Sequence, residues 1–204
     1  AGAGSRRDDG GRGLRRRRFS CGVETTARKV HVLPTAPVAW GTAGDAGIGN
    51  DFRDGLLALE WPSDATWKWF AGVAADELAH LNGRKRELAT KSGVEVKEND
   101  TTVALLAGYI GGVGAIYELT DRGSVEELRD SRILAIGSGR AHAFIADATL
   151  ATVNAGFPDD SQWLRVVMTV SARYAPDCGP PLQGFRLTSE AATDIGFHHF
   201  GTRA

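Results

Sequence analysis

Lys29, Ser138 and Asp177 are side chains whose types could handle a proton or an anion, and Ser138 stands within a glycine-rich turn. Ser138 stands between Gly137 and Gly139, where the apolar stretch Arg132-Ile133-Leu134-Ala135-Ile136 runs into the alanine-rich Arg140-Ala141-His142-Ala143-Phe144-Ile145-Ala146. The pattern predicts a buried strand, a sharp turn made possible by the glycines, and a helix. A serine hydroxyl in that place either caps the helix or faces a cleft. A hydrolase nucleophile elbow needs Gly-x-Ser-x-Gly, and the residue two before Ser138 is Ile136, so that frame fails. Taken alone, Lys29 reads as a solvated strand lysine, and Asp177, followed by Cys178-Gly179-Pro180, as a turn residue.

A second glycine-rich turn, Gly41-Thr42-Ala43-Gly44-Asp45-Ala46-Gly47, follows the short apolar run Val38-Ala39-Trp40. Neither turn carries the Gly-Lys-Ser/Thr of a phosphate loop. A net charge of −1 argues against a general nucleic-acid surface, which needs a sustained basic excess. Cys21 and Cys178 lie far apart and form no metal-ligand spacing, which points to free thiols in a reducing compartment. The pair His198-His199 has no cysteine or carboxylate at ligand spacing and reads as a surface pair. No apolar run is long enough to cross a bilayer, so the expectation is a soluble, cytoplasmic protein without metal or cofactor.

The elements that must hold these residues can be read along the 204-residue chain. Residues 1–24 interleave Arg6, Arg7, Arg12 and Arg15 to Arg18 with glycines and few apolar residues, the composition of a flexible basic tail. The abrupt change near Val23 is also what a shifted reading frame would leave. Residues 25–204 are expected to form one domain. Arg28 to Leu33 alternates as a strand, and Pro34 and Pro37 mark a turn. Phe52 to Leu59 reads as a helix, followed by a tryptophan-rich linker (Trp61, Trp67, Trp69) that offers an exposed contact surface. A further helix over Val73 to Leu88 has its apolar face broken by Asn82-Gly83. Strands are expected at 101–108, 115–120 and 182–187, and helices at 141–153 and 163–174. That order suits an α+β fold in which two antiparallel sheets lie between helix layers, a four-layer sandwich.

The chain resembles the proteasome β-subunit and HslV-type family of N-terminal nucleophile hydrolases. The resemblance rests on Ala27-Arg28-Lys29-Val30, Gly41 to Gly47, Gly108-Tyr109, Tyr117-Glu118-Leu119 with Asp121-Arg122-Gly123, Ala135-Ile136-Gly137-Ser138-Gly139, and Asp177 to Pro181. It implies a threonine-type endopeptidase that degrades polypeptides within a homo- or hetero-oligomeric ring, with an ATPase cap as a candidate partner. In such enzymes a threonine hydroxyl attacks the peptide carbonyl, and its own α-amine, with a pKa of about 7.7–8.0, takes the proton. The resemblance assigns Lys29 as the lysine that favours the neutral amine and the developing oxyanion, and Gly44 as the glycine whose N–H holds that oxyanion. Gly41, Thr42 and Gly44 then belong to the segment that pairs with extended substrate, Ser138 is the serine beside the amine, and Asp177 is the aspartate orienting that serine. The family usually has this carboxylate at the place of Ala175, and serine or threonine at that of Cys178.

The same resemblance calls for a threonine about thirty residues before the lysine, with an aspartate midway. Counting back from Lys29 runs past the first residue given, and the midway segment reads Gly13-Leu14-Arg15-Arg16-Arg17-Arg18. Thr25-Thr26 imitates the family's opening pair, but Thr25 lies four residues from Lys29, too few for two strands. The alternative expectation is therefore a non-catalytic, structural subunit with the same fold.

Overall fold

The computed structural model describes residues 29–97, 100–128, 133–153, 156–157, 159–175, 183 and 185–195. A five-stranded antiparallel sheet runs in sequence order through β1 (Val30–Val32), β2 (Val38–Ala43), β3 (Val103–Ile110), β4 (Val113–Leu119) and β5 (Val125–Glu127). β3 alternates half-buried and buried along its whole length. Its buried face, Ala104, Leu106 and Ile110, lies in register with Trp40 on β2 and with Tyr117 and Leu119 on β4. The β3–β4 hairpin closes over Gly111 and Gly112, both at positive φ, as the tightest right-twisted hairpins require.

Two helices cover this face. α1 (Ala46–Leu57) contributes Ile48, Phe52 and Leu56, and α2 (Trp67–Lys91) contributes Phe70, Ala71, Ala74, Ala75 and Leu78 to one continuous core. α1 starts six residues earlier than the apolar spacing suggests, because Asp45 accepts a hydrogen bond from the Ile48 N–H and caps it. α2 runs on through Asn82-Gly83, and the polar break in its apolar face is a tertiary contact, with Asn82 buried and fully engaged. The tryptophan stretch is likewise not an exposed linker. Trp67 opens α2, is 6% exposed and donates through Nε1 to the Val113 carbonyl at 2.7 Å. Trp61 packs on Trp69 and Phe70. These rings close the end of the core and offer no free contact surface of the expected kind.

β6 (Phe185–Leu187) and β7 (Ala192–Asp194) form a second antiparallel sheet. β6 lies against β2 and β3, whose edges are already paired on both sides, so the contact is face to face on the side away from α1 and α2. The small residues Ala39, Gly41 and Ala107 lie on that side of the large sheet. α3 (Arg140–Thr152) and α4 (Asp160–Tyr174) pack on each other through Ala143, Ala146, Trp163 and Val167. Residues 133–136 form no strand. Ile133 and Ala135 pack on the α3–α4 cluster instead. β5 and β7 are only three residues each and carry no apolar alternation to announce them. Among the described residues, two antiparallel sheets and four helices make the fold α+β. Among the described residues no helix is long and apolar enough to cross a membrane.

Phe70 is fully buried, so Phe70→Ala should cost about 3–5 kcal/mol. Gly83 has open space where a Cβ would go within α2, so Gly83→Ala should add about 0.5–1 kcal/mol. Urea denaturation of the two variants checks both signs. A destabilised Gly83→Ala would mean that α2 is interrupted after all.

Candidate active site

The C-terminal end of β2 is where the glycine turns meet. β2 stops at Ala43, and Gly44 follows at φ +123° with its Cα pressed on the neighbouring chain: a Cβ there would lie 1.9 Å from the Thr101 carbonyl oxygen. Only glycine fits both the dihedral and the space. The next residue, Asp45, accepts from the Ile48 N–H at 2.9 Å through Oδ1 and from Lys85 Nζ at 2.8 Å through Oδ2. Lys85 reaches this point from α2 and also donates to the Asp100 carbonyl at 2.6 Å. One turn earlier on α2, Asn82 accepts from the Thr102 N–H at 2.8 Å and donates to the Thr102 carbonyl at 3.0 Å, giving Thr102 the acceptor and donor that a neighbouring strand would supply. The Thr102 hydroxyl in turn donates to the Asp45 carbonyl at 3.3 Å. The hydrogen bond from Lys85 and that from the Ile48 amide hold the Asp45 carboxyl below its ordinary range, against a smaller opposing effect of burial.

The second turn packs on the first. Gly137 has φ +82°, and a Cβ on it would lie 3.0 Å from the Ala43 Cβ, one residue before Gly44. Ser138 is exposed beside it. The cap of α3 is Gly139, which makes no side-chain capping bond, so Ser138 is not the helix cap. Arg140 then extends its guanidinium to within 3.8 Å of Glu118 Oε1 on β4 and lies over the Phe144 ring.

Lys29 precedes β1 and is exposed. Its N–H donates to Gln183 Oε1 at 2.7 Å, as the Val30 N–H does at 3.2 Å. Gly41 is enclosed in the sheet between Val30 and Leu105. The Thr42 hydroxyl points at α1, 2.8 Å from where a Gly49 Cβ would be, so only its backbone is available for pairing. Gly41, Thr42, Gly44 and the Gly137-Ser138 turn thus gather at one end of β2. Lys29 approaches along the sheet and Ser138 from the turn on Ala43. Asp177, with Cys178 and the His198-His199 pair, lies outside the described residues. Asp45, Asn82, Lys85, Thr102 and Gln183 were not singled out by sequence reasoning. Asn82 had a signal, being a polar residue in helical register with Leu78, but its partner lies twenty positions away. Among the described residues no three histidines, cysteines or carboxylates are placed to hold a metal ion. A groove of about 350 Å³ lined by Leu56, Leu59, Val73, Asp76, Glu77 and His80 lies between α1 and α2. Its edge at Gly55 is about 13 Å along α1 from Ala46, away from the turns.

Solved structures that share this architecture include two of the Anbu protein. Anbu (ancestral beta-subunit) from Yersinia bercovieri aligns over 87% of this chain and 80% of its own, with a TM-score of 0.64 at 16% identity. The chain has the fold of a proteasome β-type N-terminal nucleophile hydrolase. The Gly-1 mutant of Anbu from Hyphomicrobium sp. strain MC1 aligns over 88% and 80%, with a TM-score of 0.64 at 14% identity. No family model matches the sequence, and no curated protein matches it. At such identity the likeness is one of backbone and assigns no chemistry to the two glycine turns.

The Asp45–Lys85 pair makes a pH prediction. Because the folded-state carboxyl is lowered, its stabilisation is present above the ordinary carboxylate range and is lost as pH falls through the lowered value. Asp45→Asn keeps a capping acceptor for Ile48 and removes the charge. Thermal melts of wild type and Asp45→Asn should differ at neutral pH and converge in acid. A gap that stays constant across the titration would show that Lys85 does not hold this carboxylate.

Proposed function

We propose that the chain is a subunit of a proteasome-like, self-compartmentalised threonine-type peptidase acting on extended polypeptide. The observation that carries this reading is Gly137 packed on Ala43, next to Gly44, in a β-type fold. One turn then offers a backbone N–H to a developing oxyanion, and the other brings a hydroxyl to the same end of β2. Lys29 contributes positive potential that favours the neutral α-amine of an N-terminal threonine, which is not among the described residues, and Asp177 orients Ser138. Leu33 donates to the Val38 carbonyl, so the even positions of β2 share their backbone bonds with the β1 side. Thr42 therefore directs its N–H and carbonyl toward Lys29, which stands opposite it just before β1, and an extended substrate would add as a strand beyond that residue. In this reading α3 and α4 form the fourth layer over β6 and β7, and the assembled subunits enclose a chamber, with an ATPase cap as the feeding partner.

The second reading, a structural subunit of the same fold, is favoured by the four-residue interval between Thr25 and Lys29. Cleavage of fluorogenic peptides by the purified assembly separates the two. Turnover in the wild type that falls by about 10²–10³ in Lys29→Ala supports the peptidase. An assembled wild type without turnover supports the structural subunit.

A further inference from the structure

We infer that Asn82 and Lys85, three residues apart on α2, are positioning residues that fix the Gly44 peptide as an oxyanion-binding group. This rests on the reading of Gly44 given above. A glycine at positive φ supplies an N–H close to a ligand, but its backbone is the least restrained in the chain, so the donor must be held from outside. α2 does this from both flanks. Lys85 holds the carboxylate of Asp45, the residue that follows Gly44, and the Asp100 carbonyl on the opposing segment. Asn82 holds both backbone groups of Thr102, whose hydroxyl returns to the Asp45 carbonyl.

Between those anchors, Gly44 rests on Thr101, with no room for even a methyl group. A shift of the 100–102 segment therefore displaces the Gly44 peptide directly. Asn82 and Thr102 are 1% and 0% exposed, so that flank cannot exchange its partners for water. Lys85 and Asp45 are about one-third exposed, so removing that pair loosens the turn without emptying the core. The Lys85–Asp45 pair lies outside the hydrophobic core cluster.

Two measurements on the full-length assembly test the inference. Amide hydrogen exchange follows Ile48 and Thr102, whose N–H groups are bound by Asp45 and Asn82, against Leu78 and Phe70 within α2. Lys85→Met should speed exchange at Ile48 and Thr102 at least about tenfold, leave Leu78 and Phe70 unchanged, and lower kcat by about 10²-fold with KM within about twofold. Lys85→Arg, which keeps a donor to Asp45, should recover part of kcat. Unchanged exchange at Ile48 and Thr102 overturns the inference, as does loosened exchange with wild-type kcat. If the wild type cleaves nothing and Lys85→Met still loosens those two amides alone, the peptidase reading falls and the clamp stands. Asn82→Ala serves as the stronger variant. Uniform acceleration of all four amides in both variants would mean global destabilisation and would also overturn a positioning role.

Discussion

A carboxamide in an apolar helix face is costly to bury unless each of its hydrogen-bonding groups finds a partner. Asn82 meets that condition with the Leu78 carbonyl and the two backbone groups of Thr102, and the position of α2 over the sheet follows from it. An aliphatic residue could fill the same space, yet it would leave the Thr102 N–H and carbonyl buried without partners. The apolar core sets how close α2 lies to β2, β3 and β4. Asn82 sets where along the sheet it sits, and so where Lys85 emerges to meet Asp45. The end of β2, the start of α1 and the 100–102 segment are thereby joined to one helix, which is why two flexible glycine turns can share a defined place.

The two faces of the large sheet divide the labour. Toward α1 and α2, Trp40, Leu106 and Leu119 build a dry core with Phe52, Phe70 and Leu78. On the other face the residues of β2 are small, and β6 and the Gly137 turn can approach its backbone closely. Gln183 ties the start of β1 to the segment that leads into β6, closing the sheet edge beside Lys29. The first face holds the dry core, and the second is where β6 and the Gly137 turn pack on the backbone of β2.

Local chemistry made much of this visible in advance. The alternation in Val30–Val32 and Val103–Ile110, the periodicity of α3 and α4, and the glycines at 41–47 and 137–139 each depend on residues a few positions apart. What could not be read depends on distant partners. Asn82 looks like a polar break in the apolar face of α2 unless Thr102 is known to be near. Trp61, Trp67 and Trp69 look like a surface until Val113 and Phe70 are brought beside them. The run before Gly137 has the composition of a strand, but its apolar side chains are taken up by α3 and α4. Ser138 looks like a cap, but the helix begins one residue later, and β5 and β7 are too short to announce themselves. Asp45 and Lys85 are forty positions apart, and nothing in either local sequence pairs them.

In the proposed function the Gly44 and Gly137-Ser138 turns line one anion-binding cleft at the end of β2. An experimental structure of the assembled protein with a peptide aldehyde tests this most directly. The account predicts the aldehyde oxygen about 2.7–3.1 Å from the Gly44 nitrogen, with the peptide extended along Thr42 and Ser138 beside the head group. A peptide aldehyde seated in the groove between α1 and α2, or one at the end of β2 whose oxygen points away from Gly44, would contradict it.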